Sequence, residues 1–173
     1  MLRSLLIPLL CMATAAGAVA ADNLLPWADF KPAEKTLPES WKFASAKLFE
    51  IREDAGAAVV RATAQEGALV IASYEMPVPA GIRRLSLTGR IRTEGLMAGT
   101  ASSQVARVAL QLFTGTRRTD DQVHTVGGNS DWKPFRLNVA VTPTVDRLQV
   151  HFGSLKAKSG TVDVADLALT AMP

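Results

Sequence analysis

Apolar and polar residues alternate along most of the chain from Trp41 onward. In one segment, for example, Leu85, Leu87 and Ile91 are separated by arginine, serine and threonine residues. A period of two places successive side chains on opposite faces of a β-strand, so each such segment predicts a half-buried strand. The segments are Phe49 with Ile51, Ala57 to Thr63, Gly67 to Tyr74, Leu85 to Arg92, Arg107 to Phe113, Phe135 to Val141, Leu148 to Gly153 and Gly160 to Thr170.

These segments amount to about eight short strands separated by turn signals, a pattern typical of an antiparallel β-sandwich. Before them, residues 22–40 contain three prolines, and no helix of normal length fits between those prolines. The composition of Gly99 to Ser103 favours a loop over residues 95–105, and residues 119–130 are interpreted as a second loop. We see no internal repeat or linker, and therefore predict one all-β domain over residues 21–173.

The first twenty residues have the features of a secretory signal. Arg3 gives a positive start, Leu5 to Leu10 an apolar stretch, and Ala18 to Ala20 a small-residue cleavage site. We predict cleavage after Ala20 and a secreted or periplasmic protein. A lipoprotein signal at Cys11 is disfavoured because the bulky Leu10 precedes it. No later segment approaches the roughly 20 apolar residues that span a bilayer.

Composition narrows the function classes further. The only cysteine, Cys11, would leave with the signal, so the mature domain would lack disulfides, cysteine nucleophiles and cysteine metal ligands. The formal net charge of +3 falls to about +2 without Arg3. This mild excess is not the dense cationic face that nucleic-acid binding requires, so no nucleic-acid partner is expected.

Four motifs, taken in order, resemble carbohydrate-binding modules with the galactose-binding jelly-roll fold. Such modules open on an Asn-Leu-Leu-type stretch, a phenylalanine and then a tryptophan, and they close on an acidic "SGT" strand. The matching segments here are Asn23 to Pro26 with Phe30 and Trp41; Tyr74 to Gly81 leading into Leu85 to Arg92; Ser130 to Trp132 with a strand ending at Pro143; and Ser159 to Leu169. The resemblance implies a jelly-roll sandwich that binds a glycan.

The resemblance also carries expectations about Trp132 and calcium. Trp132 is expected to pack under the sandwich edge, with its indole N–H bonded to a carbonyl. Modules of this kind often hold a structural calcium through acidic residues near both ends of the domain. Here Lys31 and Ala165 stand at two of those positions, so we expect no calcium and no other cofactor. A Lys31–Asp166 ion pair is the expected substitute.

The sequence contains little that would support catalysis. Its two histidines, His124 and His151, lack a second histidine at metal-ligand spacing, and there is no Gly-x-Ser-x-Gly motif. Most acidic residues stand beside other charges at strand ends, where solvated charge is the default. We therefore expect no enzymatic activity.

Binding is better supported, because the polar positions of the strands are rich in planar side chains. Arginine, glutamine and asparagine make paired hydrogen bonds to hydroxyls and carboxylates, and Phe113 could stack on a sugar ring. The arginine excess favours an acidic polysaccharide. The same residues could instead form an ordinary solvated face, or divide between the two outer faces. The predicted ligand-binding residues are Arg90, Arg92, Arg107, Gln111, Phe113, Arg136, Asn138 and His151, with Trp27 as a candidate in the end loops.

The interpretation that follows is a non-catalytic carbohydrate-binding module. Two alternatives stay open from the sequence. One is an envelope domain that uses the jelly roll to bind a protein, which an exposed apolar patch would favour. The other is a hydrolase or lyase, which a cleft containing a carboxylate or histidine with a strongly shifted pKa would favour.

Overall fold

The computed structural model describes residues 22–172. The predicted signal sequence, its cleavage site and Cys11 lie outside the described residues. Ten strands and two three-residue 3-10 turns follow one another along the described chain. The 3-10 turns are Trp27–Asp29 and Ala46–Leu48, and the strands are β1 (Lys42–Ala44), β2 (Phe49–Asp54), β3 (Ala57–Thr63), β4 (Leu69–Pro77), β5 (Arg84–Met97), β6 (Ala106–Thr114), β7 (Arg117–Val126), β8 (Gly128–Ala140), β9 (Arg147–Leu155) and β10 (Ser159–Ala171).

The strands form two five-stranded sheets that pack face to face. Sheet 1 has the order β1-β4-β9-β6-β7, and sheet 2 has the order β2-β3-β10-β5-β8. Every pairing within them is antiparallel. The predicted all-β jelly-roll sandwich is therefore confirmed. The last strand, β10, lies in the centre of sheet 2.

The inward positions of the alternating segments form the core. Along β5, for instance, Leu85, Leu87 and Ile91 are fully buried, and Leu148, Val150 and Phe152 of β9 add buried side chains from sheet 1. Burial of this apolar surface is the main favourable term in folding. The period of two in the sequence thus predicted correctly which residues of these strands face inward.

The expected loop over residues 119–130 was wrong, because most of it belongs to β7 and β8. The hydrophobic pattern did not reveal β7, since its inward positions include Asp120, Gln122 and His124. β7 is an edge strand of sheet 1. At the rim of a sandwich the facing sheet covers the inward side incompletely, so polar residues are tolerated there.

The N-terminal segment closes one end of the sandwich and is tied to the last strand. The Asn23 amide donates to the Leu167 carbonyl at 3.1 Å and accepts from the backbone N–H groups of Leu25 and Leu169. The backbone N–H of Leu24 donates to the Leu169 carbonyl at 2.8 Å. One side chain therefore holds the start of the described chain against β10.

The expected Lys31–Asp166 ion pair was wrong. Lys31 pairs with Glu34 at 3.0 Å within its own exposed turn. Asp166 instead accepts from Arg90 of the neighbouring strand at 2.6 Å. Lys31 has a carboxylate three residues away, and Asp166 has an arginine on the adjacent strand. Each therefore pairs locally and not with the other.

A charged cluster lies on the outer face of sheet 2. Asp163 of β10, only 2% exposed, accepts two hydrogen bonds from Arg61 of β3 at 2.7 and 2.8 Å. It also accepts from Arg92 of β5 at 2.7 and 3.0 Å. Burial alone would raise the pKa of Asp163, but the hydrogen bonds and charges of the two guanidinium groups outweigh it and lower the pKa.

We expect Asp163→Asn to lower the free energy of unfolding by about 3 kcal/mol at pH 7, because it leaves the half-buried Arg61 guanidinium without its counter-charge. A carboxyl whose folded pKa is lowered contributes stability above its unfolded pKa of about 3.9, and loses that contribution as pH falls through the folded value. The difference between variant and wild type should therefore narrow in acid. Urea unfolding at pH 7 and at pH 3 measures it.

Asp131→Asn is the matched control, since Asp131 is exposed and has no ion pair within residues 22–172. This account of the cluster would be contradicted if Asp163→Asn lowered the free energy of unfolding equally at both pH values. It would also be contradicted if the loss were no larger than that of the control.

Candidate functional site

The predicted binding residues do not share one surface. Strands β6 and β9 belong to sheet 1 while β5 and β8 belong to sheet 2, so the two sets lie on opposite outer faces of the sandwich. The sequence alone had left this alternative open. The sheet 1 set is Arg107, Gln111, Phe113 and His151; the sheet 2 set is Arg90, Arg92, Arg136 and Asn138.

The central strands of sheet 1 arrange their outward residues in rows. The register of β6 against β9 sets Ala109 opposite His151, Gln111 opposite Gln149, and Phe113 opposite Arg147. Strands β7 and β4 extend these rows on either side. The row through Gln111 reads Asp121, Gln111, Gln149 and Glu75, from β7 to β4.

Arg107 stands at one end of these rows, opposite Gly153 of β9. Gly153 has a φ of +136°, and a Cβ at this position would lie 2.1 Å from the Val70 carbonyl oxygen. Only glycine fits such a position. No side chain of β9 therefore stands beside Arg107 in this row.

Two of the arginines on this face are held by carboxylates. Arg147 donates to Glu75 at 2.6 Å and lies 4.2 Å above the ring centre of Phe113. Arg118 lies 3.0 Å from Asp121, which also accepts from the Gln111 amide at 3.1 Å. Both contacts fix the orientation of the side chains that line the face.

Arg107 is held less completely. Its side chain is 19% exposed, and its nearest carboxylate oxygen, on Asp121, is 4.0 Å from Nη2, beyond hydrogen-bonding distance. Its Nε is buried and has no hydrogen-bond partner among the described residues. The guanidinium of Arg107 is therefore incompletely paired, and only its terminal Nη groups can be reached from the face.

His151 lies in the middle of the same face. Burial, followed by the positive charge of Arg107, lowers its pKa to about 4. At neutral pH its ring is therefore uncharged and carries one donor and one acceptor nitrogen. Such a ring suits a hydroxyl group, which also donates and accepts.

The outer face of sheet 2 is organised around Trp132. Contrary to expectation, Trp132 does not pack under the sandwich edge, and its indole N–H donates to the Asp54 carboxylate at 3.0 Å rather than to a carbonyl. The guanidinium carbons of Arg90 and Arg92 lie 5.0 and 4.7 Å from its ring centre. Strands β2 and β8 are the two edge strands, about 19 Å apart in a flat sheet. The bond therefore shows that this end of sheet 2 curls toward its outer face.

Trp27, the candidate in the end loops, belongs to an aromatic cluster. The Trp27 ring centre lies 4.7 Å from that of Phe30 and 5.8 Å from that of Phe152. Tyr74 lies 5.4 Å from Trp41 in the same cluster. These rings pack across the end of the core, which leaves Trp27 only half exposed.

His124 also packs rather than standing free in a loop. Its ring stacks on Phe135 at 5.5 Å, and its Nε2 is buried without a partner. Burial, followed by the positive charge of Lys133, lowers its pKa. Within residues 22–172 no three His, Cys, Asp or Glu side chains are grouped so as to hold a metal ion. No helix in the same range is long and apolar enough to cross a membrane.

Sequence reasoning missed several polar residues of the sheet 1 face. Arg147 continues the outward period of Gln149 and His151 by one step, so the pattern could have identified it. Asp121 and Arg118 lie on the edge strand that the pattern did not reveal. Ser73 and Glu75 join the face only through the pairing of β4 with β9, which has no local signal.

No protein-family model and no curated protein matches this chain in sequence. Solved structures do match it in fold. The carbohydrate-binding module TmCBM61, solved in complex with β-1,4-galactotriose, matches with a TM-score of 0.57 and 13% identity, covering 88% of this chain and 100% of that one.

Two larger proteins also match. The arabinose-bound MgGH51 α-L-arabinofuranosidase has a TM-score of 0.53 and 13% identity over 86% of this chain, but only 26% of its own. The enzymatically active domain of bacteriophage CBA120 tailspike protein 4 has a TM-score of 0.55 and 11% identity over 78% of this chain and 20% of its own. At these identities the likeness shows the fold alone, and it confirms the resemblance to carbohydrate-binding modules at that level.

The two histidines offer a direct check of the site's electrostatics. We expect His151 to titrate near pH 4 and His124 below 6.5, because burial disfavours both imidazolium forms. Since the unfolded chain binds these protons at higher pH than the folded protein does, stability should fall as pH drops from about 6.5. NMR titration of the imidazole carbon-bound protons gives both midpoints, with His151→Gln assigning the signals. A midpoint for His151 at or above 6.5 would contradict the described burial.

Proposed function

We propose that the chain is a secreted, non-catalytic carbohydrate-binding module whose sheet 1 outer face binds an acidic polysaccharide. The fold that it shares with TmCBM61 supports carbohydrate binding. The polar rows offer the planar amide of Gln149 and the neutral imidazole of His151 to sugar hydroxyls, and the buried Gln111 supports them through its bond to Asp121. Phe113, half exposed beside them, offers an apolar ring edge or face.

The observation that carries the acidic character of the ligand is the incomplete pairing of Arg107. A mostly buried guanidinium with an orphaned Nε is costly unless something else satisfies it. Its one nearby carboxylate, Asp121, already serves Arg118 and Gln111. Because the Nε is closed to solvent, a carboxylate or sulfate group of a ligand would bind the terminal Nη groups, which also offer the two parallel donors of a bidentate contact.

The charge of the whole face agrees with that assignment. Three arginines, Arg107, Arg118 and Arg147, and Lys42 of the edge strand β1 stand against two carboxylates, Asp121 and Glu75. His151, neutral because burial lowers its pKa, adds no charge, so the positive excess of the face at neutral pH comes from these basic side chains alone. An anionic glycan is attracted to such a face, and the attraction weakens with salt.

The same two carboxylates are poorly placed for glycoside hydrolysis. Asp121 and Glu75 lie in one row but on strands three spacings apart, which is about 14 Å. Paired carboxylates of glycosidases stand about 5 to 9.5 Å apart. Each is also bound to an arginine. Binding without catalysis is the function that this geometry supports best.

We expect Arg107→Ala to weaken binding of an acidic oligosaccharide about tenfold and to reduce the salt dependence of the Kd, since one charge-assisted contact is lost. Arg107→Lys should weaken binding less than Arg107→Ala does, because lysine keeps the positive charge but lacks the two parallel donors of the guanidinium. Calorimetric titration with oligogalacturonate and alginate fragments, at low and high salt and with EDTA present, measures these effects. Phe113→Ala should weaken binding without changing the salt dependence.

Arg84→Ala is the control, since it removes the same charge from an exposed position on the opposite sheet. If Arg84→Ala and Arg107→Ala lowered the affinity equally, net charge alone would explain the effect. That result would overturn the proposed site. Absence of binding to every acidic glycan by the folded wild-type protein would overturn the function.

A further inference from the structure

Trp132 has a setting that the core does not explain. It lies on the outer face of sheet 2, half exposed, and is not among the residues that pack against the core. Its indole N–H is fixed by Asp54, and Arg90 and Arg92 lie over its ring. Each of these guanidiniums is held in turn by an aspartate of β10. The indole is therefore held in one orientation at the surface before any ligand arrives.

Two depressions flank Trp132. The first, of about 440 Å³, is lined by Arg92, Thr93, Glu94, Asn129, Ser130 and Asp131. The second, of about 470 Å³, includes Arg90, Pro134, Phe135, Arg136 and Asp166 in its lining. Trp132 stands between them, because one guanidinium over its ring belongs to each depression.

The two depressions differ in chemistry. The first is lined by hydroxyl, amide, carboxylate and guanidinium groups, while Pro134 gives the second an apolar wall. A pyranose has the same division, with a rim of hydroxyls and an apolar C–H face. Adjacent sugar units of one chain could place hydroxyls in the first depression and a C–H face in the second.

Charge distinguishes this surface from the face of sheet 1. Three carboxylates, Glu94, Asp131 and Asp166, balance the three arginines that line the depressions. An anionic ligand gains no net attraction here, whereas hydroxyl groups meet both donors and acceptors. We propose that the surface around Trp132 is a second binding site, for a neutral oligosaccharide, separate from the Arg107 face.

A protein partner fits this surface less well. Protein interfaces place apolar side chains at their centre and keep charged residues to the rim. The large hydrophobic residues exposed within residues 22–172 are Leu69, Met97 and Val123, and none of them lines either depression. The centre of this surface is instead a tryptophan surrounded by charged side chains.

The test is NMR titration of the ¹⁵N-labelled protein with β-1,4-galactotriose and with neutral xylo-, cello- and manno-tetraose. We expect at least one of them to shift the indole N–H of Trp132 and the amides of Asn129 and Arg136 saturably. Arg136→Ala should weaken that Kd about tenfold. Arg136 is exposed and makes no ion pair within residues 22–172, so the variant should stay folded; Glu94→Gln gives a second, isosteric test. Arg84→Ala and Arg107→Ala should leave the Kd unchanged.

Each contrary result has a distinct meaning. Shifts confined to sheet 1, no shifts with any neutral sugar, or insensitivity to Arg136→Ala and Glu94→Gln would overturn the second site. Concentration-dependent shifts of the Trp132 indole without sugar would overturn it in favour of a second copy of the chain. If acidic fragments still bind in an Arg107-dependent manner, the function proposed for sheet 1 stands and only this inference fails.

Discussion

The contact between the inward faces of the two sheets is the constraint on which the rest of this molecule depends. Within residues 22–172 there is no cysteine to form a disulfide, so apolar packing must supply most of the stability. Each strand gives its inward positions to that packing. The outward positions are then left for polar chemistry, and the two outer faces can differ without disturbing the core.

The two faces use this freedom differently. On sheet 2, arginines and aspartates satisfy one another around a nearly buried Asp163, and Trp132 is fixed among them. On sheet 1 the pairing is incomplete, and Arg107 keeps unused donors. The charges of sheet 2 balance, whereas sheet 1 keeps a positive excess. The two faces of one small domain therefore favour ligands of different kinds.

Sequence reasoning was strongest where the strands are buried on their inward side. The alternation around Leu87, Leu110 and Phe152 predicted the sandwich because each position is fully buried. It failed at β7, whose inward side lies at the rim and is polar. The predicted ion pair between Lys31 and Asp166 was also wrong, because a pairing between distant segments depends on the positions that loops take relative to the strands.

The candidate sites were less predictable than the fold. The outward residues were identified correctly as polar and arginine-rich, but their division between two faces depends on strand order, which is non-local. The incomplete pairing of Arg107 depends on its Nη2 lying 4.0 Å from Asp121, beyond hydrogen-bonding distance, and no sequence pattern encodes that distance. The bond from Trp132 to Asp54 likewise requires the curl of a whole sheet.

The central position of β10 has a consequence for how the chain folds. The β2–β3 hairpin and the β5–β8 pair lie on opposite sides of β10 and are joined into one sheet only through it. The amide of Asn23 finds its partners on that same strand. Sheet 2 and the contacts of Asn23 therefore form only when β10 pairs, at the entropic cost of closing a long loop. The two halves of sheet 2 are thus expected to stay separate, and the sandwich incomplete, until β10 docks between them.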